Sequence, residues 1–356
     1  DLDEVRARVL RRYLDEYRER WDAFLNDITV VALDNDSNRS IDVLQVLSGD
    51  DSPLKNLLIA VERQTTLRRS DDLAAKGSAA AKGALRSIGD RVGSLLQTPA
   101  TVASQLDDSA DQHPVDAHFD RLNDLVRVPE GGAPGIDSSL TLLTELTAYL
   151  KSLQTLRGVK LIDQVKSLGD SVVGRLEQHA VRQPAYLRKW LEVIDWQVRQ
   201  MLGARALDYL NDEWRATVYR DYQRGLRGRY PLSRSSERDA TLDDFGDFFG
   251  PGGSIDRFFA EYLEDFVDTS GRVWRVPEKS PIHISREALV AMQRAAVIRE
   301  AFFSARDKSP SIGFSLKPIT MDIGINDFSL DLDGQTVRFD HSATRAKALQ
   351  WPGPRA

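Results

Sequence analysis

The sequence lacks cysteine altogether among its 356 residues. This absence excludes disulfides, thiolate metal sites and cysteine nucleophiles. Long apolar runs are also missing, because the longest ones, at 28–33 and 57–61, fall far short of the roughly 20 residues that a bilayer span requires. The chain begins inside a helical pattern, without Met and without a signal peptide. We therefore expect a soluble piece of a longer protein, with any membrane anchor outside this sequence.

The charge balance is slightly acidic. Lys and Arg total 48, whereas Asp and Glu total 54, which gives a formal net charge of −6. We do not expect a nucleic-acid binder, because contacts with phosphates require clustered surplus cations. Hydrophobic residues make up 41% of the chain, which is enough for a proper core. The length corresponds to two or three folding units at about 150 residues each.

Helical periodicity dominates the first two thirds of the chain. Apolar residues recur at three- and four-residue steps from Leu2 to Ile28, which predicts a long amphipathic helix. Similar spacing predicts helices from Pro53, from Ser138 and from Pro184. Between residues 70 and 112, alanine, glycine and serine dominate, and few large apolar side chains are available for a core. That composition predicts a flexible connector, with a poorly packed helical arm as the alternative.

The period of the apolar residues changes from 3.6 to 2 after residue 310. Apolar side chains alternate over 312–316 and over 319–325, and both stretches are predicted to be strands with one buried face. The Asp333-Gly334 pair predicts a hairpin with a two-residue turn. Its register pairs Leu332 with Gln335, Leu330 with Val337 and Phe328 with Phe339 on the apolar side, and Asp331 with Thr336 and Ser329 with Arg338 on the polar side.

Together these patterns predict an α+β multidomain chain. An elongated helical domain over 1–228, with the connector at 70–112, is followed by a β-rich, sandwich-like C-terminal domain with accessory helices over 229–356. The boundary falls at Arg229-Tyr230-Pro231, because proline disfavours the helical region for the residue before it. An isolated hairpin is marginal in water, so the apolar face of this one has to cover a second sheet or the helices.

Motifs for catalysis are not evident. The sequence contains neither a phosphate-binding loop nor a nucleophile elbow. The five histidines do not have metal-ligand spacing; His113 and His118 lie five residues apart in a polar segment, where an exposed linker is favoured over a zinc site. A glycine-rich stretch at 250–254 is interpreted as a tight turn that begins a helix rather than as a phosphate site. The sequence thus predicts no catalytic residue, no metal and no cofactor.

Two groups of charged residues leave alternatives open. Seven carboxylates lie in Phe-rich segments. The favoured interpretation is that they form the solvated side of amphipathic helices, and the alternative is that two of them are a catalytic pair as in glycosidases. Five arginines lie near residue 230. The favoured interpretation is that they interact with a helix C-terminus, and the alternative is that they contact an anionic partner. The carboxylates belong to Asp243, Asp244, Asp247, Glu261, Glu264, Asp265 and Asp268, and the arginines are Arg224, Arg227, Arg229, Arg234 and Arg238.

Four stretches, in this order along the chain, resemble the C-terminal part of the IcmF-like (TssM) inner-membrane subunit of type VI secretion systems. The opening helix, together with Leu47-Ser48-Gly49 and Ser52-Pro53-Leu54, resembles the preceding helical region of the same family. The four stretches are Arg229-Tyr230-Pro231; Asp243-Asp244-Phe245 through Phe248-Phe249-Gly250-Pro251-Gly252-Gly253 to Phe258-Phe259 and Phe266-Val267; Arg294-Ala295-Ala296 with Ile298-Arg299 and Phe302-Phe303; and Asp333-Gly334-Gln335 followed by Trp351-Pro352-Gly353.

The resemblance implies a non-enzymatic structural subunit. Such proteins are anchored in the inner membrane by upstream helices, and this region of them lies in the periplasm. Their C-terminal β-rich domain docks the small outer-membrane lipoprotein (TssJ), several copies associate into a ring-like complex, and the full-length protein has a TssL-type inner-membrane subunit as a further partner. The nucleotide-binding domain of many members lies in a cytoplasmic part, which agrees with the missing phosphate loop.

We predict that the partner binds the polar face of the hairpin and its turn, at Ser329, Asp331, Asp333 and Arg338. The alternative for this face is simple solvation. The alternative for the function is a periplasmic cell-wall (peptidoglycan) binding module or hydrolase, suggested by the carboxylate groups. Tyr230, Phe245, Phe248, Phe249, Gly250, Gly253 and Trp351 are expected to define the fold rather than to contact a partner.

Overall fold

A computed structural model describes residues 2–33, 37–67, 114–304, 307–342 and 345–355. The connector predicted over 70–112 lies outside these residues. The chain separates into two compact units, Asp1–Leu202 and Gly203–Ala356. The predicted domain limits, 1–228 and 229–356, were drawn from the sequence pattern rather than from packing. They stay a prediction.

The first unit consists of helices. Helix α2 packs on α5, α3 on α4, and α5 on α7. A 3-10 turn, Leu168–Asp170, precedes α7, and the division between the two units falls inside α8. In the described residues the helices are α1 (Leu2–Asp27), α2 (Ser37–Ser48), α3 (Pro53–Thr65), α4 (Pro114–Asn123), α5 (Gly135–Leu153), α6 (Val159–Lys166), α7 (Val172–Val181) and α8 (Ala185–Trp214).

The long opening helix confirms the periodic pattern, although only its second half is buried. Leu14, Tyr17, Trp21 and Leu25 are buried at three- and four-residue steps, and the hydroxyl of Tyr17 donates to the carbonyl oxygen of Gln64 at 3.0 Å. By contrast, the apolar residues of the first turns are exposed. Amphipathic periodicity therefore fixes which face of α1 is apolar, whereas packing decides how much of that face is covered.

The second unit contains shorter helices and all of the strands that the described residues form. Two of its helices are extended or interrupted by π-helical turns at Arg215–Tyr219 and Phe259–Leu263. The side chain of Ser285 accepts a hydrogen bond from the N–H of Ala288 at 3.2 Å and so caps the last helix. The helices are α9 (Arg220–Gly225), α10 (Leu242–Phe249), α11 (Ser254–Phe258) and α12 (Arg286–Phe302), and the strands are β1 (Ile312–Leu316), β2 (Asp327–Leu332), β3 (Gln335–Asp340) and β4 (Lys347–Trp351).

Aromatic residues from three of the resembling stretches meet in one cluster. The ring of Phe245 on α10 stacks on Phe303 with centroids 5.8 Å apart and meets the edge of Phe302 at 5.7 Å. Phe302 in turn contacts Trp351 of β4, edge to face, at 6.1 Å. Aromatic pairs of this kind stabilise beyond their buried area. The cluster thus joins α10, α12 and the sandwich within the second unit, as expected of fold-defining residues.

The C-terminal strands form two antiparallel pairs. The β2–β3 hairpin has the predicted register throughout, from Leu332 opposite Gln335 to Phe328 opposite Phe339. Asp333 and Gly334 have φ angles of 49° and 80°, the combination that a two-residue primed turn requires. The second pair, β1 with β4, was predicted only in its first strand, since no pattern singled out Lys347–Trp351.

The two strand pairs share a small apolar core. Val337 and Phe339 of β3 and Leu349 of β4 are buried, and Leu316, Met321 and Leu332 pack against them. The structure therefore confirms the predicted fold class: helices followed by a β-rich, sandwich-like C-terminal domain. An apolar face that is marginal in a lone hairpin is stabilised because the second pair covers it.

The predicted strand over 319–325 is wrong. These residues form the connection between β1 and β2, and Ile319 and Ile323 are 93% and 94% exposed. The side chain of Asp322 accepts a hydrogen bond from the N–H of Gly324 at 2.9 Å, and its carbonyl oxygen accepts one from Ile325 at 3.0 Å. A local turn of this kind competes with strand pairing, and Pro318 cannot donate to a ladder. We name residues 317–326 the isoleucine loop.

Candidate functional site

Two of the four predicted partner-binding residues lie on the open face of the hairpin. Ser329 on β2 and Arg338 on β3 are directly opposite each other in the register, and both are exposed. Neither side chain makes a hydrogen bond or ion pair with another described residue, although the backbone carbonyl of Arg338 accepts from Lys347 Nζ at 2.6 Å. This pair is therefore available to a partner, as a hydroxyl beside a cation.

The other two predicted residues are engaged within the domain. Asp331 accepts hydrogen bonds from the N–H of Gly334 at 3.0 Å and from the hydroxyl of Thr336 at 3.2 Å, which holds the hairpin turn. Asp333 is half-buried and accepts from the N–H of Gly353 at 2.6 Å. Both carboxylates thus stabilise the fold locally. Their use by a partner stays a prediction.

In the strand region, residues 312–355, which we call the β-domain, the most exposed apolar side chains lie next to or within this hairpin in sequence. Ile319 and Ile323 in the isoleucine loop are almost fully exposed, and Ile325 and Phe328, just before and inside β2, are about half exposed. Covering such side chains on association is favourable, because it removes apolar surface from water. Sequence reasoning assigned these isoleucines to a buried strand face, although Pro318 and Asp322-Ile323-Gly324 carried the turn signal.

The edges of the sandwich are linked by amide side chains. Gln335 Nε2 donates to the carbonyl oxygen of Gln350 at 2.5 Å, and the N–H of Gln350 donates to Gln335 Oε1 at 3.1 Å. Gln350 Nε2 also donates to Ser311 Oγ at 2.9 Å. These contacts tie β3 to β4 and fix the frame from which the isoleucine loop extends.

Three of the seven acidic residues with a glycosidase alternative have local hydrogen-bond or ion-pair partners. Asp244 accepts from Arg229 at 3.2 Å and from the hydroxyl of Thr241 at 2.8 Å. Asp247 lies 3.6 Å from Lys308 Nζ. Hydrogen bonds from Ser270 lower the pKa of Asp268, which is at the surface. The contacts of these three carboxylates fit the amphipathic interpretation of the sequence.

The arginine group near residue 230 is only partly paired. Arg229 binds Asp244, and its guanidinium also donates to the carbonyl oxygen of Arg224 at 3.3 Å. Arg227, Arg234 and Arg238 are exposed. Arg229 therefore joins the end of α9 to α10, in agreement with the interpretation that places it at a helix C-terminus.

Histidines in the described residues make local contacts. His118 Nε2 lies 3.0 Å from both carboxylate oxygens of Asp22, which also accepts from the hydroxyl of Tyr186 at 2.5 Å. His113 lies outside the described residues. No group of three or more His, Asp or Glu side chains in the described ranges is placed to hold a metal ion.

His179 is the histidine whose protonation the structure constrains. Its Nε2 lies 2.8 Å from Ser139 Oγ and 3.1 Å from the side-chain amide nitrogen of Gln183. Burial, with a smaller contribution from Arg182, lowers the pKa of His179. An amide N–H that donates to Nε2 requires the neutral ring there, which agrees with that direction.

The described helices can be examined for one that is able to cross a membrane. None of the helices formed by residues 2–33, 37–67, 114–304 and 307–355 with their gaps combines the length and the apolar content that crossing a bilayer needs.

Comparison with family models matches three parts of the chain. The IcmF-related model, described as intracellular multiplication and human macrophage-killing, matches residues 1–66. The type VI secretion protein IcmF helical domain matches residues 205–308, and the IcmF C2-like domain matches residues 314–356. The last match covers the isoleucine loop and the hairpin.

Comparison with curated proteins and solved structures points the same way. The type VI secretion system component TssM1 of Pseudomonas aeruginosa is 39% identical over 351 residues, 97% of this chain and 32% of the relative, so the chain spans about a third of that relative's length. A structure titled type VI secretion system membrane core complex is similar in fold, with a TM-score of 0.56 at 17% identity over 99% of this chain and 67% of that chain. Another, titled type VI membrane complex, has a TM-score of 0.55 at 18% identity, over 99% of this chain and 64% of the other.

Proposed function

This chain belongs to the IcmF (TssM) family of type VI secretion proteins, and from that premise we propose that it is a non-enzymatic structural segment of the type VI secretion membrane complex. In this proposal the segment lies in the periplasm, as part of a protein anchored in the inner membrane by other segments. Its C-terminal β-domain docks the outer-membrane lipoprotein TssJ. The full-length protein also contacts a TssL-type subunit, and copies of it associate into a ring-like complex.

The observation that supports docking is the exposure of the isoleucine loop. Ile319 and Ile323 are almost fully exposed, whereas Val337 and Leu349 of the paired strands are buried. Burying a fully exposed isoleucine contributes about 1.5–3 kcal/mol. Two such residues on one loop supply the apolar centre that a specific interface requires.

The polar hairpin face then forms the rim of the same interface. Ser329 and Arg338 are open, and a rim cation mainly sets the association rate and the register of a complex. A stable interface buries roughly 1,600 Å² in total. The loop and the hairpin face are therefore proposed to act together, with the loop contributing most of the affinity.

Titration calorimetry of this chain with the soluble form of the lipoprotein tests the proposal. Replacing both isoleucines with serine, Ile319→Ser with Ile323→Ser, is expected to weaken binding at least about tenfold, since hot-spot side chains dominate an interface. The matched control is Val297→Ser, which replaces another exposed β-branched residue, on α12. This variant should leave the affinity unchanged. Deletion of residues 312–356 should abolish binding.

The hairpin prediction has its own variants in the same titration. Arg338→Ala is expected to weaken binding by about two- to fivefold, as for a rim contact. Failure of the folded wild-type chain to bind would contradict the choice of partner. Wild-type affinity in the double serine variant would instead show that the isoleucine loop is not the contact surface.

A further inference from the structure

A second surface in the helical part of the Gly203–Ala356 unit has the chemistry of a receptor for a cationic side chain. A cleft of about 390 Å³ lies between the 249–274 region and helix α12. We propose that this cleft binds the side chain of an arginine or lysine carried by a basic segment of a protein partner. The proposal concerns a surface separate from the isoleucine loop, and it does not depend on lipoprotein docking.

One wall of the cleft is aromatic. The rings of Phe259 and Trp274 have centroids 4.8 Å apart and are tilted by 34° to each other, and both side chains are only half-buried. The electron-rich faces of aromatic rings attract cations, and indole does so most strongly. The backbone N–H of Trp274 donates to Gln293 Oε1 at 3.5 Å, which links the segment that carries the indole ring to helix α12.

The rim of the cleft carries an excess of negative charge. Glu264 and Glu300 line it, both are exposed, and neither carboxylate has a hydrogen bond or ion pair with another described residue. The cleft also contains Arg299, but that guanidinium is ion-paired with Asp256. Three carboxylates therefore face one cation, and the two unpaired ones at the rim are complementary to an incoming positive charge.

The floor of the cleft is apolar, which distinguishes a long basic side chain from a small ion. Ile255 and Met292 line it and are buried. Arginine and lysine have apolar stems that pack on such surfaces while their charged heads remain near water. The apolar floor therefore matches the stem of such a side chain, and the aromatic wall and the acidic rim match its charged head.

Nuclear magnetic resonance of the whole chain tests this inference through the indole N–H of Trp274, assigned with Trp274→Phe. The probe is the tripeptide acetyl-Gly-Arg-Gly-amide, and the neutral isostere with citrulline in place of arginine is its control. We expect the arginine peptide to shift the indole signal with a dissociation constant in the millimolar range, and the citrulline peptide to leave it unshifted. Raising the salt to about 0.5 M should weaken binding, because the rim charges are exposed.

Side-chain variants define the outcome further. Glu264→Gln and Glu300→Gln should each raise the dissociation constant about threefold, while Glu237→Gln, an exposed glutamate outside the cleft, should not change it. Equal shifts with both peptides, no shift in a folded chain, or unchanged binding in both glutamine variants would overturn the proposal. Putrescine binding at least as tightly as the arginine peptide would overturn the assignment to a protein partner. Each of these outcomes is independent of the calorimetry with the lipoprotein.

Discussion

The carboxylate of Asp333 accepts a hydrogen bond from the backbone N–H of Gly353 at 2.6 Å, which joins the hairpin turn to the chain twenty residues later. The carbonyl oxygen of Asp333 also accepts from the N–H of Arg355 at 3.3 Å. A residue that the sequence marks as a turn former therefore also anchors the last described segment of the chain. That second role ties residues 353–355, which follow β4, to the turn of the β2–β3 hairpin.

We expect Asp333→Ala to destabilise the sandwich by about 1–2 kcal/mol, because the half-buried N–H of Gly353 loses its acceptor. The variant also places alanine at a positive φ angle, and this adds to the loss of stability because only glycine and short polar residues adopt such an angle readily. Asp333→Asn is the control, since asparagine keeps an acceptor oxygen and tolerates this conformation. Hydrogen exchange of the β2 and β3 amides measures the effect; equal protection in both variants would show that the anchor does not matter.

The exposed and buried apolar residues of the β-domain should respond differently to truncation. Leu349→Ala removes a core side chain of a small sandwich and should cost about 2–4 kcal/mol. Ile323→Ala, at an exposed position in the isoleucine loop, should change stability by no more than about 0.5 kcal/mol. Hydrogen exchange in β3 compares the two, and a comparable loss in Ile323→Ala would mean that the loop serves the fold rather than a partner.

Glycine at 174 permits a close contact between α7 and the preceding 3-10 turn. A Cβ at Gly174 would overlap with the carbonyl oxygen of Gly169. Gly174→Ala should therefore lower the stability of the first unit by about 1–3 kcal/mol, the usual cost of overpacking. At Gly169 itself a Cβ meets no atom within 4 Å, so Gly169→Ala is a matched control with an expected effect near zero. Calorimetric melting of both variants checks the difference, which would vanish if the turn could move aside.

His179 should make stability depend on pH in the mildly acidic range. Burial lowers its pKa below the unfolded value of about 6.5. Between the folded and unfolded pKa values the unfolded chain binds more protons, so stability rises with pH through that window and is complete above about pH 6.5. As pH falls below about 6.5, this contribution is lost.

His179→Gln should remove that part of the pH dependence, because glutamine cannot be protonated and still offers groups to Ser139. The melting temperatures of the wild type and the variant are compared at about pH 7.5 and pH 5.5, on either side of the unfolded pKa. The wild type should lose more stability on acidification than the variant. Identical losses would show that the histidine is protonated equally in both states.

Local sequence signals predicted the elements that depend on neighbouring residues. The hairpin register followed from Asp333-Gly334 because a two-residue turn leaves a single pairing that keeps the apolar side chains on one face. Strand β4 was missed because its partner, Ile312, is 39 residues before Trp351 and no turn connects them directly. The positions of Ser329 and Arg338 on one face follow from the same register. Asp331 is engaged within the hairpin by Gly334 and Thr336, whereas the contact of Asp333 with Gly353 lies outside the hairpin and has no local signal.

The sequence by itself determined the helical periodicity, the turn at Asp333 and the family, because each depends on residue types at short spacing. Tertiary structure alone decided which apolar residues are covered. Ile312 and Ile319 look alike in a period-two pattern, yet one begins a paired strand and the other projects into solvent from a loop. Burial depends on what packs against a side chain from elsewhere in the chain, and no local pattern contains that information.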